Sequence, residues 1–305
     1  MKASTKARST RRKMPAPLRG TVMPTIRPLS DVLGCAITGM DLSSGCSAEE
    51  FGEIERALHE HLVVILPDQR VLPEQFVAFA RRFGRPEPHV IDQFHHPVDP
   101  NILILSNVKV DGKPIGLADG GTYFHSDYSY LDVPARCTIL FAIQVPDGNA
   151  GTTFANQRKA WGDLPSATKA RIEGLVCRHH YGNRDDLDEA SRTAASPLNS
   201  DQKAKMSWVH HPLVRKHPHI DRKSLYAVSG SSFGIEGMEG GDAIRLLDEL
   251  KQHSTQPKYQ YKHPYQVGDV IIWDNCSLLH SAPLIEADRP RTLWRITVKE
   301  AGPTL

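Results

Sequence analysis

The sequence predicts a mainly β protein: a β-sandwich or jelly roll with helices on its flanks. Strand-length runs at 102–108, 137–145, 258–263, 270–273 and 293–298 dominate the half of the chain that holds the chemically distinctive residues. Segments with helical spacing sit around them, two early in the chain and two at 165–176 and 243–251. No internal repeat and no low-complexity linker follows residue 20, so strands and helices are expected to share one architecture.

Taken in order, 33–42 is a short strand between glycine turns. Ser47 then caps a helix, with Glu50 completing a capping box and Phe51, Ile54 and Leu58 forming its buried stripe. The run 62–66 is a fully buried strand closed by Pro67. Pro73 opens a second helix with Phe76, Phe79, Ala80 and Phe83 inward, and Gly84 ends it. Residues 109–121 are glycine-rich and aperiodic, which suits either an active-site lid or a plain connector.

The 305 residues, 40% hydrophobic and 24% charged, suffice for a substantial core. The net charge of +2 conceals an asymmetry. Residues 1–20 carry seven basic side chains and no acid, which leaves 30 basic against 35 acidic residues in the rest. A mildly acidic body argues against nucleic acid as the main partner. The basic segment lacks an apolar h-region and reads as a disordered tail, so the expected division is a 1–20 tail and a single domain over 21–305. No apolar run reaches membrane-spanning length. Five scattered cysteines without a C-x-x-C pair fit a reduced, cytoplasmic protein with no disulfide or zinc framework.

The stretch 122–130 alternates aromatic and polar residues and is expected to be a strand. On a strand, His125 and Asp127 would share a face and offer two ligands of a facial metal triad, which a distant histidine would complete. By itself the pair is weak evidence and reads as a surface strand on which a histidine and an aspartate happen to lie near each other. His280 lies where a buried strand, 270–273, is expected to run into a loop, and Arg291 and Arg295 follow it. The segment 291–298 alternates too, placing Arg291, Leu293, Arg295 and Thr297 on one face. Two arginines on one core face each need an anion, and guanidinium forks suit carboxylates or sulfonates. Two salt bridges on an edge strand are the alternative. The adjacent pairs His95-His96, His179-His180 and His210-His211 would point to opposite strand faces and read as surface or structural, whereas His217 and His219 lie in a proline-rich turn with no carboxylate between them. Tyr123, Tyr128 and Tyr130 suit either a pocket wall or packing.

Together, His125-Ser126-Asp127, Thr152 in a glycine-rich turn, the strand ending Trp273-Asp274-Asn275, the distal His280 and the Arg291/Arg295 spacing resemble the taurine dioxygenase family. Arg82-Phe83-Gly84, Leu105-Ser106-Asn107-Val108 with Asp111-Gly112-Lys113, and His211-Pro212-Leu213-Val214 extend the resemblance over roughly 25–300. The resemblance implies a double-stranded β-helix (jelly roll, cupin-like) core and dependence on iron(II), 2-oxoglutarate and O2. It implies that His125, Asp127 and His280 bind the iron, that Thr152 and Arg291 hold 2-oxoglutarate, and that Arg295 and His89 meet the substrate. The turn 148–151 departs from the family's usual Gly-Gly-Asp before the threonine. The expected function is hydroxylation of a small anionic molecule (a sulfonate, aryloxyalkanoate or other carboxylate) with release of succinate and CO2, and the resemblance favours a homo-oligomer. Alternatives are an amino-acid-like or natural-product substrate with the same cofactors, a non-redox metal-binding jelly roll, and nucleic-acid binding through the basic tail.

Overall fold

The computed structural model describes residues 24–148, 150–181 and 198–300; the basic tail at 1–20 lies outside them. The core is a jelly roll built from a large sheet facing a small one. The large sheet runs in the order Thr25–Pro28, Cys35–Thr38, Val63–Leu66, Val270–Asp274, Ala135–Gln144, Thr292–Lys299, Leu103–Ser106. All its pairings are antiparallel except Cys35–Thr38 with Val63–Leu66. The small sheet runs Gln260–His263, Thr152–Asn156, Leu278–Ser281, again antiparallel. Apart from the first two strands of the large sheet, neighbours come from distant parts of the chain, as closing a jelly roll requires.

The alternation of each central strand explains the layers. Val64, Leu66, Ile139, Phe141, Val270, Ile272, Ile296 and Val298 point outward and are buried against helices. The first is Ala48–His61, which contributes Phe51, Ile54 and Leu58; the second is Pro73–Ala80, which contributes Phe76 and Phe79. Residues of the opposite parity, Ile65, Leu140, Ile271, Trp273 and Leu293, point inward and meet Phe154 and Leu278 of the small sheet. The far side of the small sheet, Ala155 and Leu279, is covered by the Gly240–Ser254 helix and its neighbours. A strand buried on both faces reads as a continuous apolar run, which is why 137–145 and 270–273 are visible in sequence.

Several elements are shorter or longer than the sequence suggests. The strand expected over 33–42 is confined to Cys35–Thr38 and pairs with a further strand, Thr25–Pro28, outside that range; Gly84 lies past a helix that stops at Ala80; the 165–176 helix is confined to Ser166–Ile172. Two corrections bear on the site. The stretch 122–130 is not a strand: His125 makes one antiparallel bridge to His280, and the chain then turns through 127–130. Ser126, Asp127 and Ser129 bond to Asn275 or to one another rather than to a neighbouring strand, so the ladder ends there. His280, conversely, lies on a strand, Leu278–Ser281, and not in a loop. Residues 109–121 combine a two-stranded hairpin with a segment bonded to Ile104 and Ser106 through Leu117, which makes the segment a wall of the fold.

Ser47 caps the Ala48–His61 helix in a full capping box: its hydroxyl accepts from Glu50 N while Glu50 Oε2 accepts from Ser47 N. Ser47→Ala should lower stability by about 1 kcal/mol, read as a lower urea midpoint at unchanged slope.

Candidate active site

The site forms between the two sheets, where strand ends and turns bring together residues far apart in sequence. His125 is held by its reciprocal backbone pair with His280, 3.0 and 2.9 Å, and its Nδ1 bonds the carbonyl of Tyr123 at 2.8 Å. That bond turns Nε2 towards Asp127 Oδ1, at 3.6 Å. His280 Nε2 lies 3.6 Å from the other oxygen, Oδ2. Ligand atoms of all three residues lie within 4.8 Å of one another. A divalent first-row ion with bonds of about 2.1 Å holds cis ligands about 3 Å apart, so small adjustments would seat one here.

The two glycines on either side of His125 are required by this packing. A Cβ on Gly121 would lie 2.2 Å from His125 Cε1, and one on Gly230 would lie 2.7 Å from His125 Cβ; both have positive φ.

Asp127 is 3% exposed and is gripped from several directions. Thr138 Oγ1 donates to its Oδ2 at 2.6 Å and itself accepts from Asn275 Nδ2 at 2.9 Å. Asn275 Oδ1 accepts from the Trp273 indole at 3.0 Å, and the Trp273 ring packs on His280 with centroids 4.8 Å apart. Arg295 Nη2 lies 2.6 Å from Asp127 Oδ1. Burial alone would push the Asp127 carboxyl up, but Arg295, His280 and His125 hold it well below the usual carboxylate range. Burial pushes His280 down to about 3, the neutral imidazole that a metal needs.

Two cavities meet at these residues. The inner one, about 360 Å³, is lined by Thr152, Tyr265, His280, Arg291, Leu293 and Arg295. Thr152 and Tyr265 share a hydrogen bond between hydroxyls. Arg291 is fixed through its backbone N to Asn107 Oδ1 at 2.8 Å, while its buried Nη1 has no protein partner. A buried guanidinium nitrogen left in this way suits a carboxylate in the cavity. The outer cleft, about 770 Å³ with its mouth, is bounded by Tyr123, Tyr128, Tyr130, Tyr181 and Phe233, with Arg295 and half-buried His89 at one side. Burial, then Arg295, pushes His89 down to about 3, and its Nδ1 accepts from Ile91 N at 3.1 Å.

The structure thus brings His125, Asp127, His280, Thr152, Arg291, Arg295 and His89 around one space. Both arginines face inward, as the alternation of 291–298 predicts, but Arg295 contacts a triad carboxylate, a pairing the spacing did not reveal. Thr138, Asn275, Tyr265 and Asn107 support the site without standing out individually in the sequence. Asn275 and Asn107 lie inside the Trp-Asp-Asn and Leu-Ser-Asn-Val motifs; Thr138 is a polar residue in the apolar middle of its strand, the one signal that marks it. Of the adjacent histidine pairs, two split in burial, with His179 and His211 buried, His180 partly buried and His210 exposed, whereas His95 and His96 are both half-buried and off any strand.

His217 does meet a carboxylate, Asp274 at 3.1 Å, which arrives from another strand. His217, Asp274 and Cys276 form a second compact group. There Arg158 stands 3.8 Å from Asp274, Arg215 stands 3.6 Å from Glu300, and Cys276 donates to Glu300 at 2.7 Å. Charges in that network are matched by side chains, and a divalent ion would add positive charge beside two guanidiniums.

Because the Gly121 Cβ would overlap the His125 ring, Gly121→Ala should weaken Co2+ binding at least tenfold while the far-ultraviolet circular dichroism stays unchanged; calorimetric titration checks this.

Comparison with known proteins agrees with this geometry. The family model described as "Taurine catabolism dioxygenase TauD, TfdA family" matches residues 25–297. An alpha-ketoglutarate-dependent 2,4-dichlorophenoxyacetate dioxygenase of Cupriavidus pinatubonensis is 32% identical over 287 residues, covering 88% of this chain and 96% of the relative. Pentalenolactone F synthase of Streptomyces arenae is 27% identical over 272 residues, covering 87% and 91%. Among solved structures, AAD-2 in complex with Mn(II) and N-oxalylglycine superposes with a TM-score of 0.76 at 30% identity, covering 93% of this chain and all of that one. A taurine dioxygenase from Burkholderia xenovorans gives a TM-score of 0.76 at 26% identity, covering 92% and 91%. With its jelly roll, its His-Asp-His group and a family match along nearly its whole described length, the chain belongs to the taurine catabolism dioxygenase TauD, TfdA family.

Proposed function

We propose that this protein is an iron(II)- and 2-oxoglutarate-dependent dioxygenase that hydroxylates a small carboxylic acid with an aromatic or otherwise apolar body. The observation that carries this reading is the pair of cavities meeting at one His-Asp-His group, with Arg291 in the inner cavity and Arg295 bordering both. A metal site without redox chemistry needs no second buried cavity holding a guanidinium nitrogen that lacks a partner. Relatives named as dioxygenases of 2,4-dichlorophenoxyacetate and of (S)-phenoxypropionate support an aryloxyalkanoic acid as the substrate type.

His125, Asp127 and His280 would hold the iron. When bound, iron(II) supplies the centre at which O2 is reduced as the keto acid loses CO2. The overall balance is one C–H of the substrate, one 2-oxoglutarate and one O2, giving one C–OH, succinate and CO2. Arg291 would take the distal carboxylate of 2-oxoglutarate through its free nitrogen, with Thr152 and Tyr265 offering hydroxyls beside it. Tyr128, Tyr130 and Tyr181 would hold the substrate's body by area and exclude water. Arg295, with His89 near it, would receive the substrate's acid group. The five rings that bound the cleft favour an apolar substrate body over the small polar one of an amino-acid-like substrate.

The same reading places one catalytic domain over 21–305, working as a homo-oligomer in the cytoplasm without nucleic acid. Its support is the acidic balance of the body, five cysteines that form no disulfide among the described residues, and no helix among those residues long and apolar enough to cross a membrane.

Arg291→Ala should raise the KM for 2-oxoglutarate by the equivalent of about 2–4 kcal/mol, and Thr152→Ala by about 1 kcal/mol. Succinate release over a panel of phenoxyacetate, aliphatic acids, sulfonates and their neutral amides tests the substrate class. Phenoxyacetate should lead the panel and the amides should be poor; equal turnover of an acid and its amide would remove Arg295 from acid recognition.

A further inference from the structure

Arg295 occupies an unusual position for a residue meant only to greet a substrate. Its Nη2 lies 2.6 Å from Oδ1 of Asp127, the same carboxylate whose oxygens face His125 and His280 at 3.6 Å. Among the described residues, Asp127 is the one acid within ion-pair distance of Arg295. Both are almost fully buried, at 7% and 3% exposure, and Arg295 Nε has no protein partner. The guanidinium also borders both cavities, so an anion in the outer cleft can reach it. Asp119, another acid on the cleft wall, bonds Gly121 N and neighbours His125 and Arg291.

We propose that Arg295 links occupancy of the metal triad to capture of the substrate's acid group, because both draw on the single carboxylate of Asp127. The inference rests on the reading of His125, Asp127 and His280 as the metal site. One carboxylate balances one guanidinium. A divalent cation drawing on that carboxylate leaves the buried charge of Arg295 uncompensated, a costly condition in a dry site. An acid group arriving through the cleft restores the balance, and it also relieves the repulsion between the guanidinium and the metal. Each ligand therefore strengthens the other by the same factor. Thr138, itself held by Asn275, keeps the carboxylate in place during the exchange, since it donates to Oδ2 and leaves Oδ1 to Arg295.

The test is calorimetric titration of Co2+, which supports no turnover, into the full chain and its Arg295→Met and Arg295→Lys variants, with and without phenoxyacetate. Removing the competing charge should make Arg295→Met bind Co2+ at least tenfold more tightly than wild type, about 1.4 kcal/mol. Arg295→Lys should stay near wild type. Phenoxyacetate should tighten Co2+ binding at least fivefold in the wild type and leave it unchanged in Arg295→Met. The wild-type arm decides the matter even if the methionine variant fails to fold. Wild type that binds phenoxyacetate yet holds Co2+ with an affinity indifferent to it, or Arg295→Met that binds Co2+ no more tightly, overturns the linkage alone; phenoxyacetate that does not bind the Co2+-loaded wild type overturns acid capture at Arg295 together with it. Wild type that binds no Co2+ overturns the metal-site reading together with it.

Discussion

The carboxylate of Asp127 is the constraint on which the rest of the structure depends. A carboxylate buried to 3% exposure is tolerated only if its charge is met and its lone pairs are used. Here Thr138 comes from the Ala135–Gln144 strand and Arg295 from Thr292–Lys299, two neighbours in the large sheet. His280 comes from the small sheet opposite, and His125 joins it by one bridge. The two sheets are therefore tied across the barrel at one atom group. The apolar layers behind them, Ile139 and Ile296 outward and Leu140 and Leu293 inward, keep that geometry rigid.

The same arrangement explains how a site of polar and charged groups survives inside an apolar barrel. The inward face of the large sheet is apolar at Leu140, Ile271 and Leu293, and its buried polar residues Thr138, Arg295 and Thr297, with Arg291 just before the last strand, gather at the cavities or the clamp. Trp273 spans both worlds. Its ring packs on His280 and Phe154, and its indole N–H donates to Asn275, which passes the constraint on to Thr138. Activity would then follow from positioning rather than from any one exotic group.

Much of this was legible in the sequence where a local period carries the information. The alternation of 291–298 places both arginines inward, and the apolar runs mark the doubly buried strands. The capping box at Ser47 locates a helix start. The period misled at 122–130. Tyr123, Tyr128 and Tyr130 wall a cleft, and beyond the single bridge of His125 to His280 the segment bonds to Asn275 and within its own turn, so no ladder forms. Tyr128 even takes a left-handed φ of 53°. His125 and Asp127 still converge, through the turn rather than through strand geometry. What stayed hidden were relations across the chain: Thr138 with Asn275, 137 residues apart, Thr152 with Tyr265, and Asp127 with Arg295. A one-dimensional pattern holds no record of which distant side chains a barrel closure brings together. The approach of Gly121 and Gly230 to His125 is hidden for the same reason.

The account stands or falls on Asp127 as the group that joins metal, keto acid and arginine in one site. The most direct measurement is an anaerobic titration of the protein with iron(II) and 2-oxoglutarate, followed by the visible absorption that a keto acid chelated to iron(II) produces. Wild type should develop the band with one equivalent of each, and Asp127→Ala, folded by circular dichroism, should not. A band that persists in Asp127→Ala, or none in the wild type, would contradict the account.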